Sequence, residues 1–475
     1  MLDIGIIGGG VGGLVTASGS AQFGAKVALV EKGKLGGDCL NFGCVPTKSL
    51  LHSAKIFRDS IKAEKLGLHI GNTKLDFGRV MERMREVQST IAVHDDPERF
   101  RKMGVDVIFG TGLFEDRHTF AVPGRKIKAK KFLIATGSRP AESTIPGSDG
   151  VSFLNNENIL DIKTLPESMI ILGAGPIGIE YAQIFSRFGC KVTLFQRRGR
   201  ILPKEDHELA KMLEGILRAE GVDIQTAPHY DKVEESGGKV SLTVSYGEGK
   251  GQKVFSAEKI LVATGRKPNI EGLNLEGIGV KSTDLGIVVD DTLKTTVSNI
   301  WACGDVIGLF PFTHAAEHQA GVVISNALFP LVRRKINRRV VPWCTFTDPE
   351  FGRVGLTEVE AKSMLGASNV SVYRFNYSGH DRAVIEGATE GMVKVVCDLK
   401  GKILGAHILG ANGGDLINEY ALAMNSGLGV QQISQTIHVY PSMGQVVKRG
   451  ADQYYREKLF SGPFALFTKF WFGKK

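Results

Sequence analysis

Apolar residues in this chain gather into short blocks, and the first of them run directly into glycines. Ile4-Gly5-Ile6-Ile7 leads into Gly8-Gly9-Gly10-Val11-Gly12-Gly13. A helix-like stretch at 14–23 follows, and then a second apolar run at 26–30 that ends on Glu31. Strand, glycine turn, helix and strand in that order predict a βαβ unit. The pattern returns at 169–172, through Gly173-Ala174-Gly175-Pro176-Ile177-Gly178 and a helix-like run to Phe188, and closes with a strand at 191–195 followed by Gln196. Two more blocks, 133–140 and 261–268, each read as a buried strand ending in a glycine turn, at Gly137 and Gly265.

Gly8, Gly10 and Gly13 spell GxGxxG between a strand and a helix. Such glycines permit a tight turn and close approach of backbone to a pyrophosphate, and the helix start supplies N–H donors. Glu31 stands where a carboxylate accepts from ribose hydroxyls. Gly173, Gly175 and Gly178 repeat the device, but Gln196 takes the place of the acid and Arg197, Arg198 and Arg200 follow. Losing the carboxylate removes the 2′-hydroxyl partner, and guanidinium groups supply phosphate ligands. The second site is therefore expected to prefer NADP, with NAD as the alternative.

A chain of 475 residues makes about three domains. With 43% hydrophobic and 23% charged residues it reads as globular, not as disordered, collagenous or coiled-coil. Six cysteines are too sparse for a secreted disulfide framework, and only Cys39 and Cys44 are close together. Any disulfide inferred from spacing is that pair, and in a cytosolic protein it is catalytic sooner than structural. No segment reaches the roughly 20 apolar residues of a membrane span, and residues 1–14 lack a basic leader. A cytoplasmic location is expected.

If a helix starts at the cysteine motif, residues five apart lie about 140° apart around its axis. A bridge would need distorted backbone near Cys39, which Gly36, Gly37 and Gly43 would relieve. A thiolate close to a helix start and to Lys48 is expected to have a lowered pKa. No second Cys/His pair has ligand spacing, so no metal site is expected. Two dinucleotide sites and a cysteine pair suggest electron flow from a nicotinamide through a flavin to a disulfide.

Here the residues resemble a family. The motif Gly36-Gly37-Asp38-Cys39-Leu40-Asn41-Phe42-Gly43-Cys44-Val45-Pro46-Thr47-Lys48, both fingerprints, both Ala-Thr-Gly strands and 300–305 are similar to the class I pyridine nucleotide–disulfide oxidoreductases. Dihydrolipoamide dehydrogenase, glutathione reductase and mercuric reductase are members. The interface patterns at 347–357 and 405–410 extend the likeness over residues 3–450.

The resemblance implies an α/β fold of two doubly wound, Rossmann-like nucleotide-binding domains plus a C-terminal α/β dimerisation domain, in a homodimer. The expected divisions are 1–148 and 268–340 for FAD, 149–267 for NAD(P), 341–450 for the interface and 451–475 for a basic aromatic tail. It implies that Gly8, Gly10, Gly13 and Glu31 hold the ADP half of FAD, that Gly112 approaches the adenine and that Asp305 contacts the ribityl–phosphate region. It also implies that Lys48 pairs with Glu180 near the flavin, that His314 lines it, that Cys44 is the flavin-side sulfur and that Cys39 attacks substrate.

Disulfide-reducing members carry a His-Pro dipeptide followed by a Glu. Here Tyr440 precedes Pro441 and Gln445 takes the Glu position. A tyrosine with a pKa near 10 is a poor base at neutral pH. In extended backbone His438 shares a face with residue 440 and could partly replace the base. Mercuric reductases also carry Tyr there, and Asp381-Arg382-Ala383 looks like theirs. Their usual terminal Cys-Cys is missing, since the last cysteine is Cys397, and the chain starts at the flavin fingerprint without a metal-capture domain. The expectation is a mercuric reductase-like NADPH oxidoreductase whose acceptor is a metal ion, a quinone or a small disulfide. The rivals are an NAD-linked dihydrolipoamide dehydrogenase and a membrane-associated flavin redox sensor of low turnover.

The net charge of +9 sharpens one region. Residues 448–475 carry more than half of it, and the end interleaves lysines with Phe460, Phe464, Phe467, Phe470, Trp471 and Phe472. That composition suits an anionic membrane surface, giving peripheral contact at the inner membrane face through 460–475. Nucleic acid is not expected, because the other basic groups, 125–131 and 333–339, lack aromatics.

Overall fold

The computed structural model describes residues 1–71, 73–247, 251–329, 331–461 and 463–473. Residues 462, 474 and 475 of the aromatic tail lie outside the described residues. The chain forms two compact units, one of residues 1–173, 187–190 and 230–337, the other of 174–186, 191–229 and 338–475. The stretch expected to bind NAD(P), 149–267, contributes to both.

In the first unit, β1 (Leu2–Ile7) lies between β2 (Val27–Glu31) and the strand Arg125–Ile134, parallel to both. Val105–Phe109 extends the sheet beyond β2, and Ile300–Ala302 pairs with Arg125–Ile134. Helix α1 (Val11–Gln22) makes the crossover from β1 to β2. Ile4, Ile6, Leu29 and Leu133 are fully buried, as strands covered on both faces require. The strand order reverses at β1, and a doubly wound sheet opens its ligand crevice at the carboxyl ends of such strands.

Gly8 turns sharply out of β1 with φ 110°, and a Cβ there would strike the carbonyl of Ala135. Gly173 repeats the relation, with φ 101° and the carbonyl of Ala263 in the way. The two fingerprints are thus fitted to the two Ala-Thr-Gly turns by the same contact. Helices α2 (Gly37–Asn41) and α3 (Cys44–Lys62) follow β2.

In the second unit, Lys191–Gln196 pairs in parallel with Asp223–Thr226. Its C-terminal part is a five-stranded antiparallel sheet in the order Pro342–Thr345, Glu350–Gly355, Ile403–Gly410, Met392–Asp398, Val370–Asn376. Helices Gly413–Asn425 and Gln445–Ser461 follow, and the buried Tyr420 hydroxyl ties them by donating to the Val447 carbonyl at 2.8 Å. Lys394, 3% exposed, is held by Asp206 at 2.9 Å, Glu208 at 3.0 Å and Glu358 at 2.8 Å. A buried ammonium persists only when paired in this way.

Candidate active site

The fingerprint turn leaves backbone donors exposed to a ligand. Gly10 caps α1 without any side-chain bond, so the first-turn N–H groups remain open. Gly13 sits where a Cβ would strike the Gly8 carbonyl. The Glu31 carboxylate accepts from the N–H groups of Gly9 at 2.6 Å and Gly33 at 2.7 Å. A Cβ on Gly37 would lie 2.7 Å from the Gly10 Cα, so the cysteine loop meets the nucleotide turn backbone to backbone. Gly112 is held close by a strand, its Cβ position lying against the Ala121 carbonyl and 2.6 Å from the Phe120 ring.

Asp305 occupies the short helix after Ile300–Ala302, and burial raises its carboxyl pKa. Ser138 donates to it at 2.6 Å, and the Arg266 guanidinium lies 3.9 Å away. Open helix donors, a glycine cradle, an acid at the β2 end and a second, buried acid together fit the ADP and ribityl portions of FAD.

The cysteine segment breaks into two helices. Gly36 and Gly37 enter α2 with φ 91° and 59°. The break falls at Phe42 and Gly43, and Cys44 opens α3 with Pro46 in its first turn. The two helices thus meet at a backbone break between Cys39 and Cys44. Cys39 is half-buried and Cys44 exposed, as separate thiols within hydrogen-bonding reach of each other. The Cys39 thiol is pushed well up, first by the hydrogen bond with Cys44 and then by burial. The Thr313 hydroxyl lies 3.6 Å from the Cys44 sulfur. Thr313 opens the helix that carries His314, whose ring stacks on Phe312.

The residue before Cys39 proves to be a structural anchor. Asp38 pairs with Arg266 at 2.9 Å and accepts from Asn156 at 3.2 Å. Arg266 also donates to the Ser138 hydroxyl at 2.8 Å and to the Ser138 carbonyl at 3.0 Å. One guanidinium therefore reaches both the acid beside Cys39 and the neighbourhood of Asp305. Sequence reading missed Asp38, Ser138, Asn156, Arg266 and Thr313 as site residues. The only signals were an acid next to the cysteine and polar residues beside Gly137 and Gly265.

On the nucleotide side of the second unit, Gly175 has open space where a side chain would stand, and Gly178 is buried in the first turn of Pro176–Arg187. Gln196 is buried at its strand end, while Arg197 and Arg198 are exposed. Arg200 is committed to the carbonyls of Leu202, Pro203 and Glu205 at 3.2, 2.7 and 3.1 Å. Glu180 is buried and accepts from the Phe346 N–H at 2.9 Å. Lys48, in the first unit, lies on α3 with its ammonium 3.4 Å from the Thr47 hydroxyl. Gly137 and Gly265 both turn at positive φ, 69° and 157°.

His438 and Tyr440 take separate partners. His438 packs inward, with Nε2 3.0 Å from Glu419 and Nδ1 3.0 Å from the Thr436 carbonyl. Tyr440 is 64% exposed and donates to Asp381 at 3.0 Å, a bond that raises its pKa. Gln445 starts the helix Gln445–Ser461. Among the described residues no cluster of three or more His, Cys, Asp or Glu could hold a metal ion.

Residues 2–320 match the pyridine nucleotide-disulphide oxidoreductase family, and 341–451 match its dimerisation domain. A dihydrolipoyl dehydrogenase of Bacillus subtilis is 34% identical over 94% of this chain and 97% of its own. A mercuric reductase of Staphylococcus aureus is 36% identical over 94% of this chain and 82% of its own. The solved structure of the HOCl-induced flavoprotein disulfide reductase RclA from Escherichia coli, as a Cu(II) complex, superposes with a TM-score of 0.84 at 30% identity, covering 95% of this chain and 99% of that one. Fold, cysteine pair and nucleotide turns agree with these likenesses, and the chain belongs to the class I pyridine nucleotide–disulfide oxidoreductases, FAD-dependent enzymes with a redox-active disulfide and a dimerisation domain.

Proposed function

We propose that the protein passes electrons from NADPH through FAD to the Cys39–Cys44 pair and on to a small acceptor, as a homodimer. The observation that carries this reading is the cysteine pair itself, two thiols in mutual hydrogen-bonding reach in the same unit as the fingerprint turn and Asp305. Bound FAD supplies hydride acceptance from the nicotinamide and two-electron exchange with sulfur. The chain's own residues do the rest. Gly8, Gly10, Gly13 and Glu31 bind the cofactor's ADP half, and Arg266 fixes α2 through Asp38. The Thr313 hydroxyl is placed to hydrogen-bond the Cys44 sulfur. Gln196, Arg197 and Arg198 support NADPH over NADH.

A disulfide acceptor needs a proton donor at neutral pH. Tyr440 is held protonated by Asp381, and both ring nitrogens of His438 are engaged. This supports a metal ion, whose reduction takes up no proton, over lipoamide. Anaerobic titration with NADPH and NADH, followed by turnover with Hg(II), quinones, glutathione disulfide and lipoamide, tests the reading. NADPH-driven turnover with Hg(II) is expected, and rapid lipoamide turnover with NAD would overturn it.

A further inference from the structure

The electron path makes no use of the aromatic tail. Helix Pro463–Trp471 follows Gln445–Ser461. A surface helix ordinarily turns its apolar stripe toward the protein. This one is reversed. Ala465 is 8% exposed, whereas Phe464 is 51%, Leu466 71%, Phe467 53%, Phe470 86% and Trp471 70% exposed. At about 100° per residue these five large side chains fill one continuous arc of about 160°, and Lys469 lies off it. Neighbouring rings stand side by side, Phe464 to Phe467 at 6.2 Å and Phe467 to Trp471 at 5.8 Å.

Charge selects the occupant of this face. The sequence from 458 to 475 contains Lys458, Lys469, Lys474 and Lys475 and no acid. A second copy brings the same basic segment and no acid to complement it. Anionic phospholipid complements it, with aromatic rings at headgroup depth and lysines toward phosphates. Nine helical residues span about 13.5 Å, under half of a hydrocarbon core of about 30 Å. No helix among the described residues is long and apolar enough to cross a membrane. We propose that Pro463–Trp471 lies along an anionic bilayer surface and attaches the oxidoreductase to it. This inference does not depend on the identity of the electron acceptor.

The test uses the full-length, FAD-loaded protein. Phosphatidylcholine vesicles with and without phosphatidylglycerol are sedimented with the parent and with a Phe470→Asp/Trp471→Asp variant. The parent should pellet with the anionic vesicles and be released by high salt. The variant's partition should fall at least about tenfold, with NADPH oxidation and sedimentation velocity unchanged. Parent protein remaining in the supernatant with both vesicle types would overturn the proposal. So would undiminished binding by the variant, or a variant that pellets less because its assembly has come apart, since the face would then belong to a second copy.

Discussion

At the scale of single residues, position 440 bears on the proposed choice of acceptor. Tyr440 is exposed and bonded to Asp381, so its proton leaves above the ordinary tyrosine range. Tyr440→Phe should leave the pH–rate profile unchanged between about pH 6 and 8; a lost limb in that window would show Tyr440 working as an acid or base. The inference that Tyr is a poor base was available from residue type alone. The inward turn of His438 was not, because Glu419 is distant in sequence and only the fold brings it to Nε2. Gly37 gives a sharper case. A methyl group there meets the Gly10 Cα at 2.7 Å and forces a side chain into φ 59°. Gly37→Ala should cost about 1–3 kcal/mol and lower the FAD-to-protein ratio after gel filtration; full flavin content with an unchanged Tm would refute the cradle.

At the scale of elements, the fingerprints were legible because strand, glycine turn and helix are encoded within a few tens of residues. β1, α1 and β2 lie where periodicity put them, with Glu31 closing β2. The cysteine segment was legible only in part. The spacing required distorted backbone only for a bridge, and the structure, with the two thiols apart, breaks the helix at Phe42 and Gly43. The direction of the Cys39 pKa could not be read, since it follows from the partner thiol and burial and not from the helix start. The strand Lys191–Gln196 shows a similar limit. Three following arginines looked equivalent in sequence, yet Arg200 is committed to loop carbonyls. Gln196→Glu combined with Arg198→Ala should lower the kcat/KM preference for NADPH over NADH about 10–100-fold, measured in steady state with one acceptor. An unchanged ratio would place the 2′-phosphate elsewhere.

At the scale of the whole molecule, the contacts that hold distant segments together were invisible in sequence. His407 is fully buried, with Arg353 and Lys394 directly opposite on its two neighbouring strands. Asp206 and Glu360 balance those cations. Nε2 donates to the Leu356 carbonyl at 3.1 Å, and burial together with Arg353 holds the imidazole neutral, its pKa down at about 4. An unfolded chain takes the proton near 6.5. Stability from this group is therefore full above about pH 6.5 and is lost as pH falls through about 4. Thermal melts of His407→Gln should show a flatter acid limb than the parent; equal slopes would remove His407 from the balance. The dimerisation domain at 341–451 gives the outward aromatic helix a further consequence. A homodimer carries that helix twice. Under the proposed attachment, two grips, each easily shed, would make a bivalent hold that ends only when both let go together, so residence time would multiply where contact area merely doubles.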